Sequence, residues 1–187
     1  QLYNKKSNLI SHLKGYRIPL NFDSKQIYID PYILGLWLFC SININTINIY
    51  NSNIINHISY KLNHYGLYFK HINLNHYEIC SVSNENSFLH FLKYYDLIDN
   101  KHIPHDFKCN SRKIRLEFLA SLIDSFGYFY NHGFILNCNN ISNILKDDII
   151  YLCRSLGFAC DISNNIYIIG FDNYLNQISL LCLNNKH

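Results

Sequence analysis

Apolar positions change period several times along the chain, and each change marks an element. Residues 1–29 are polar and irregular, with Gly15, Pro19 and the segment 21–25 reading as turn material. Asp30-Pro31 then opens a helix, because aspartate accepts from free N–H groups and proline suits the first turn. The run YILGLWLFCS that follows is apolar on every face, which predicts a helix buried over most of its surface. Residues 42–50 (ININTINIY) alternate Ile with polar residues, the period-2 pattern of a half-buried strand. Ser52 reads as the cap of a second helix, with Ile54, Ile55, Ile58 and Leu62 at helical spacing and a stop at Gly66. Short strands over 67–72 and 77–82 flank an NLN turn, and a helix covers 87–97.

The second half repeats this order. A helix over 111–125 ends at Gly127, strands follow at 128–130 and 134–138, and a helix over 141–156 ends at Gly157. A hairpin across Ser163-Asn164-Asn165 and the amphipathic stretch NYLNQISLLCL close the chain. ILGLWLFCS corresponds to LASLIDSFG, 86 residues downstream. IINHISYKLNHYGLYF around Gly66 corresponds to DDIIYLCRSLGFAC around Gly157, 91 residues on, a drift that small insertions give. Two copies of one buried helix, strands and a covering helix predict a pseudo-twofold α+β domain. Residues 1–29 are its N-terminal extension, 30–110 its first half and 111–187 its second.

Composition adds a source and a compartment. The chain has 187 residues, 49% hydrophobic and 16% charged, which excludes disordered and acidic-tail classes. Its 27 Asn, 28 Ile and 16 Tyr are residues of AT-rich codons, such as organelles, large DNA viruses and some protists use. The start at Gln1 and the absence of Met suggest a piece of something longer or a processed product. Net charge is +3, with only four Arg among 16 basic residues, which permits nucleic acid as a partner without requiring it. Seven Cys without a C-x-x-C pair read as reduced thiols inside a cell. No apolar run reaches the roughly 18 residues of a membrane span.

LASLIDSFG (119–127) resembles the signature helix of the LAGLIDADG homing endonucleases, and ILGLWLFCS (33–41) resembles its first-copy partner. LNFDSKQIYIDPYILGLWL, NKHIPHDFKCNSRKIRLEFLASLIDSFGYF and DDIIYLCRSLGF each resemble blocks of intein-encoded members, so the likeness runs from about Tyr16 onward. The closing SLLCLNNKH is similar to a final basic block, with Lys186 as its cation. The resemblance implies a duplicated αββαββα-like fold: two antiparallel sheets form a saddle, and the two motif helices pack at the dyad. Small residues let those helices approach, here Gly35 in one and Ala120 with Ser121 in the other.

At the foot of each helix the family places an acid that binds Mg²⁺ for cleavage. The corresponding residues here are Cys40 and Phe126, a soft ligand and a side chain with no donor atom, so the resemblance implies a fold without its cleavage chemistry or its metal. Asp124 lies about 200° around the helix from Phe126 and reads as a structural partner. Lys101, in NKHIP, falls at the family's auxiliary lysine. The saddle implies contact with duplex DNA or structured RNA through Asn43, Asn45, Asn48, Lys70 and His71 in the first half, and Tyr128, Tyr130 and His132 in the second. Lys108, Arg112, Lys113 and Arg115 form the one dense basic cluster, suited to a phosphate backbone. His102 and His105 flank Pro104 without the Cys spacing of a zinc site. Three readings stay open: a cleavage-dead remnant in an intein or nucleic-acid binder, a structural subunit of a large assembly such as an organellar ribosome, and a nuclease with relocated acids.

Overall fold

The structure, a computed structural model, describes residues 17–83, 85–130, 133–139, 141–162 and 165–170. Asp30 caps helix α1 (Pro31–Cys40): its Oδ1 accepts from the backbone N–H groups of Tyr32 at 2.8 Å and Ile33 at 3.3 Å. Every residue of α1 except Phe39 is buried, as a run without a polar face requires.

The stretch 42–50 departs from the alternating pattern. Only Thr46–Asn48 form a strand, β1. Before it the chain turns, because Asn43 Oδ1 accepts from the N–H groups of Asn45 (3.1 Å) and Thr46 (2.8 Å), and a side chain that bonds its own downstream backbone competes with strand pairing. Helix α2 (Ser52–Asn63) is capped by Asn51 rather than Ser52, since Asn51 Oδ1 takes the Asn53 N–H at 2.9 Å. The chain leaves α2 through Gly66 at φ +65°, where a side chain would be strained, and enters the hairpin of β2 (Leu67–Asn73) and β3 (His76–Ser81). Helix α3 (Ser87–Tyr94) ends three residues short of expectation, with Asp96 at φ +54°.

A single turn, α4 (His105–Lys108), precedes α5 (Arg112–Phe126). Strand β4 (Gly127–Tyr130) follows α5 without a loop, and β5 (Gly133–Asn137) pairs back on it. Helix α6 (Asn143–Ser155), capped by Ser142 Oγ on the Leu145 N–H, leads into β6 (Ala159–Ile162) and β7 (Asn165–Ile169). The closing stretch from 171 and the turn at 163–164 lie outside the described residues.

The fold is thus α+β, with six described helices and two antiparallel sheets. The three-stranded sheet runs β1-β3-β2 and the four-stranded sheet β4-β5-β7-β6. With β4 removed the second order becomes β5-β7-β6, the same path as the first. In the first half a single bridge, Ser41 to Ile47, stands where β4 stands in the second. The core is shared: α1 and α5 lie against each other in one buried cluster that takes in Ile47 and Ile79 from one sheet and Phe134, Leu136 and Ile166 from the other. Lys61 of α2 ties both helices together, its Nζ bonding Asp30 at 2.6 Å and Glu117 of α5. Burial opposes the Lys61 charge, but its two carboxylate partners outweigh that and raise its pKa.

Candidate functional site

The helix pair is built on absent side-chain volume. A Cβ placed on Gly35 would lie 1.9 Å from Ser121 Oγ and 3.2 Å from the Phe118 carbonyl oxygen, so α1 and α5 approach as only glycine allows. Ala120 and Ser121 are both buried at that contact, and Ser121 Oγ donates to the Phe118 carbonyl at 2.7 Å. Lower in the pair, the Tyr32 hydroxyl of α1 donates to Asp124 Oδ2 of α5 at 2.7 Å. That bond gives the buried Asp124 a structural role between the helices.

Cys40 and Phe126 lie at the C-terminal ends of the two helices. Burial pushes the Cys40 thiol up to about 11, against a hydrogen bond with Ser125 and the charge of Lys101, so it stays protonated at neutral pH. Phe126 is 44% exposed, and its ring centre lies 5.7 Å from that of Phe39. Lys101 Nζ donates to Ser41 Oγ at 2.6 Å and to the Leu38 carbonyl at 3.2 Å, and lies 5.2 Å from the centre of the Trp37 ring. Burial lowers the Lys101 pKa, opposed by Cys40. A protonated thiol and a phenyl ring do not fit a hard divalent cation, which takes oxygen ligands. Among the described residues no group of three His, Cys, Asp or Glu side chains is placed to hold a metal. Phe39, Ser41, Lys101 and Phe126 border a cavity of about 570 Å³, lined also by Asn137, Asn139 and the start of α6. Sequence reading gave no role to Asn100 of NKHIP and missed Asn137 and Asn139, which carry no motif and meet it only through folding.

The basic cluster faces inward. Arg115 is fully buried: Nε donates to the Asn110 carbonyl (2.8 Å), Nη1 to the Ser155 carbonyl (2.7 Å) and hydroxyl (2.8 Å), and Nη2 to the Leu20 carbonyl (2.6 Å). Arg112 Nη1 donates to the Leu156 carbonyl at 2.9 Å. Both guanidinium groups therefore serve the orphan carbonyls at the C-terminal end of α6, where the helix dipole favours cations. Lys108 pairs with Asp148, which also accepts the Ile103 N–H. Only Lys113, about 100° around α5 from Arg112, is exposed. The expectation of one exposed basic surface on these four is corrected: Arg115 is buried, Lys108 and Arg112 are half-buried and engaged, and Lys113 is exposed.

The sheet candidates divide by face. Lys70 and His71 are neighbours on β2 and so point to opposite sides. Lys70 shares the open side with Tyr68 and Ile72, 3.9 Å from Glu78 across the ladder. His71 lies beside Tyr77, its Nε2 bonded to the Leu74 carbonyl at 2.9 Å. Asn43 is occupied by its turn, and Asn45 is half-buried beside Asn86. Asn48 Nδ2 donates to the Tyr50 hydroxyl at 3.2 Å. Tyr128 and Tyr130 alternate along β4, 47% and 54% exposed, on one face. His132 and Lys186 lie outside the described residues. No described helix is long and apolar enough to cross a membrane.

No protein-family model matches the chain, and the sequence matches no curated protein.

Proposed function

We propose that the chain is a duplicated LAGLIDADG-type domain that binds nucleic acid, duplex DNA or structured RNA, on the open faces of its two sheets and does not cleave it. The observation that carries this reading is the approach of α1 and α5 through Gly35 and Ser121, with α5 running directly into β4, α1 reaching β1 through the turn at Asn43, and a protonated thiol and a phenyl ring at their two feet. The repeated path β1-β3-β2 and β5-β7-β6 supports the duplication. Cleavage by this scaffold would need two hard anionic ligands where Cys40 and Phe126 stand, and a nuclease with relocated acids gains nothing from Asp124, whose carboxylate bonds Tyr32. The test is an anisotropy titration with labelled duplex DNA and hairpin RNA, beside incubation of plasmid with Mg²⁺ or Mn²⁺. Saturable binding without cutting is expected. EDTA-sensitive double-strand breaks, or no binding to either nucleic acid at low salt, would overturn it.

A second reading makes the chain a structural subunit of a large assembly. It is favoured by the character of the open faces, where Tyr68, Ile72, Tyr128 and Tyr130 are exposed and Lys70 faces an acid. Recovery of the chain in a ribonucleoprotein particle, with protein contacts on these tyrosines, would select it.

A further inference from the structure

From the cavity at the foot of the helix pair we infer a small-molecule site that takes a planar heteroaromatic ring bearing an anionic group, of the size and chemistry of a nucleoside monophosphate. The cavity, about 570 Å³, falls within the range of roughly 300–1,000 Å³ typical of ligand pockets. Ser41, just after α1, and the Phe126 ring at the foot of α5 form part of its wall.

Its lining divides into three kinds of group. Phe39 and Phe126 offer aromatic surface, and Phe126 is 44% exposed. An aromatic face beside a ligand ring favours stacking. Asn100, Asn137 and Asn139 bring carboxamides, groups that both donate and accept as the mixed edge of a nucleobase does, although Asn137 Oδ1 already accepts the Asn139 N–H at 3.2 Å. Lys101 supplies charge. Its ammonium bonds only neutral oxygens, those of Ser41 and Leu38, and among the described residues it makes no ion pair, although Asp99 borders the same cavity. An ammonium with three donors and two neutral partners in a part-buried setting favours an anionic group on the ligand. The inference stands on this cavity and does not require that the sheets bind nucleic acid.

Trp37 gives an internal readout: it is the only tryptophan of the chain, and Lys101 Nζ lies 5.2 Å from its ring. The experiment titrates the full chain with AMP, GMP, CMP and UMP, following Trp37 fluorescence and checking heats by calorimetry, with adenosine and inorganic phosphate as separate arms. At least one monophosphate is expected to saturate in the micromolar to low millimolar range, more tightly than its nucleoside or phosphate alone. Lys101→Met should weaken the monophosphate about tenfold or more while leaving the nucleoside unchanged, and Lys101→Arg should restore most of the difference. Phe126→Ala, at an exposed ring, should weaken both ligands about equally. Thermal melts of each variant separate loss of fold from loss of site, and Asn139→Ala at an exposed position gives a further variant that leaves the core untouched. No saturable response to any of the four monophosphates would overturn the inference. So would inorganic phosphate binding as tightly as they do, or affinities indifferent to Lys101 and Phe126.

Discussion

Arg115 carries a full charge into a position where carbonyl oxygens, not carboxylates, meet it. Three of its partners are backbone carbonyls, and one of them, Ser155, belongs to the last turn of α6, so the guanidinium joins the 17–22 segment, the start of α5 and the end of α6. A lysine keeps the charge but not the planar fork. Arg115→Lys is expected to lower the unfolding free energy by about 3 kcal/mol, seen as an earlier urea midpoint at unchanged slope, whereas Lys113→Ala should stay within about 0.5 kcal/mol. Cys40 gives a second residue-scale test, this one of pH. Its folded pKa, about 11, is raised above the ordinary 9.0, so the fold holds the thiol proton more tightly than the unfolded chain does. Its contribution is therefore complete below pH 9 and lost as pH rises from 9 towards 11, amounting to about 2–3 kcal/mol. Stability measured from pH 7 to 11 should fall less steeply in Cys40→Ser than in the parent. Neither setting was legible in the sequence: both residues were visible, but burial and partners depend on what the chain brings to them from a distance.

Among the elements, the two motif helices were the most legible. Their uninterrupted apolar runs leave no polar side to face water, and the Gly35 and Ser121 positions announce close approach. Gly35→Ala brings a methyl carbon within 1.9 Å of Ser121 Oγ, and the helix-propensity gain of about 1 kcal/mol is set against an overpacking cost of about 1–3 kcal/mol. A net loss is expected in thermal melts, and the double variant Gly35→Ala with Ser121→Ala should recover part of it, because the nearest atom is then gone. The 42–50 stretch was the least legible element. Alternation of Ile and Asn is a good strand pattern, yet Asn43 closes a turn on Asn45 and Thr46, leaving three residues of β1. Periodicity reports which face is apolar and does not report which backbone groups an asparagine will claim.

At the scale of the whole molecule, charge decides how a polyanion could be held. Four of the 16 Lys and Arg serve internal contacts: Lys61 on Asp30 and Glu117, Lys108 on Asp148, Arg112 and Arg115 on the end of α6. Among the candidate contact residues of the open sheet faces Lys70 is the one lysine and it faces Glu78, and each neutralised phosphate adds about 0.9 to the salt dependence on duplex DNA. Binding measured from 50 to 300 mM KCl is therefore expected to show a shallow slope of about −1 to −2 in log–log form; a slope of −5 or steeper would mean a basic surface that these residues do not form. The sequence by itself determined the α+β composition, the two buried helices and the doubled order of elements, because these follow from local periodicity and residue type. Tertiary structure alone decided that the basic cluster turns inward, and that Lys101, Phe126 and the distant Asn137 and Asn139 share one cavity. Those outcomes depend on which surfaces the packed helices and sheets leave open, and no short-range pattern encodes that.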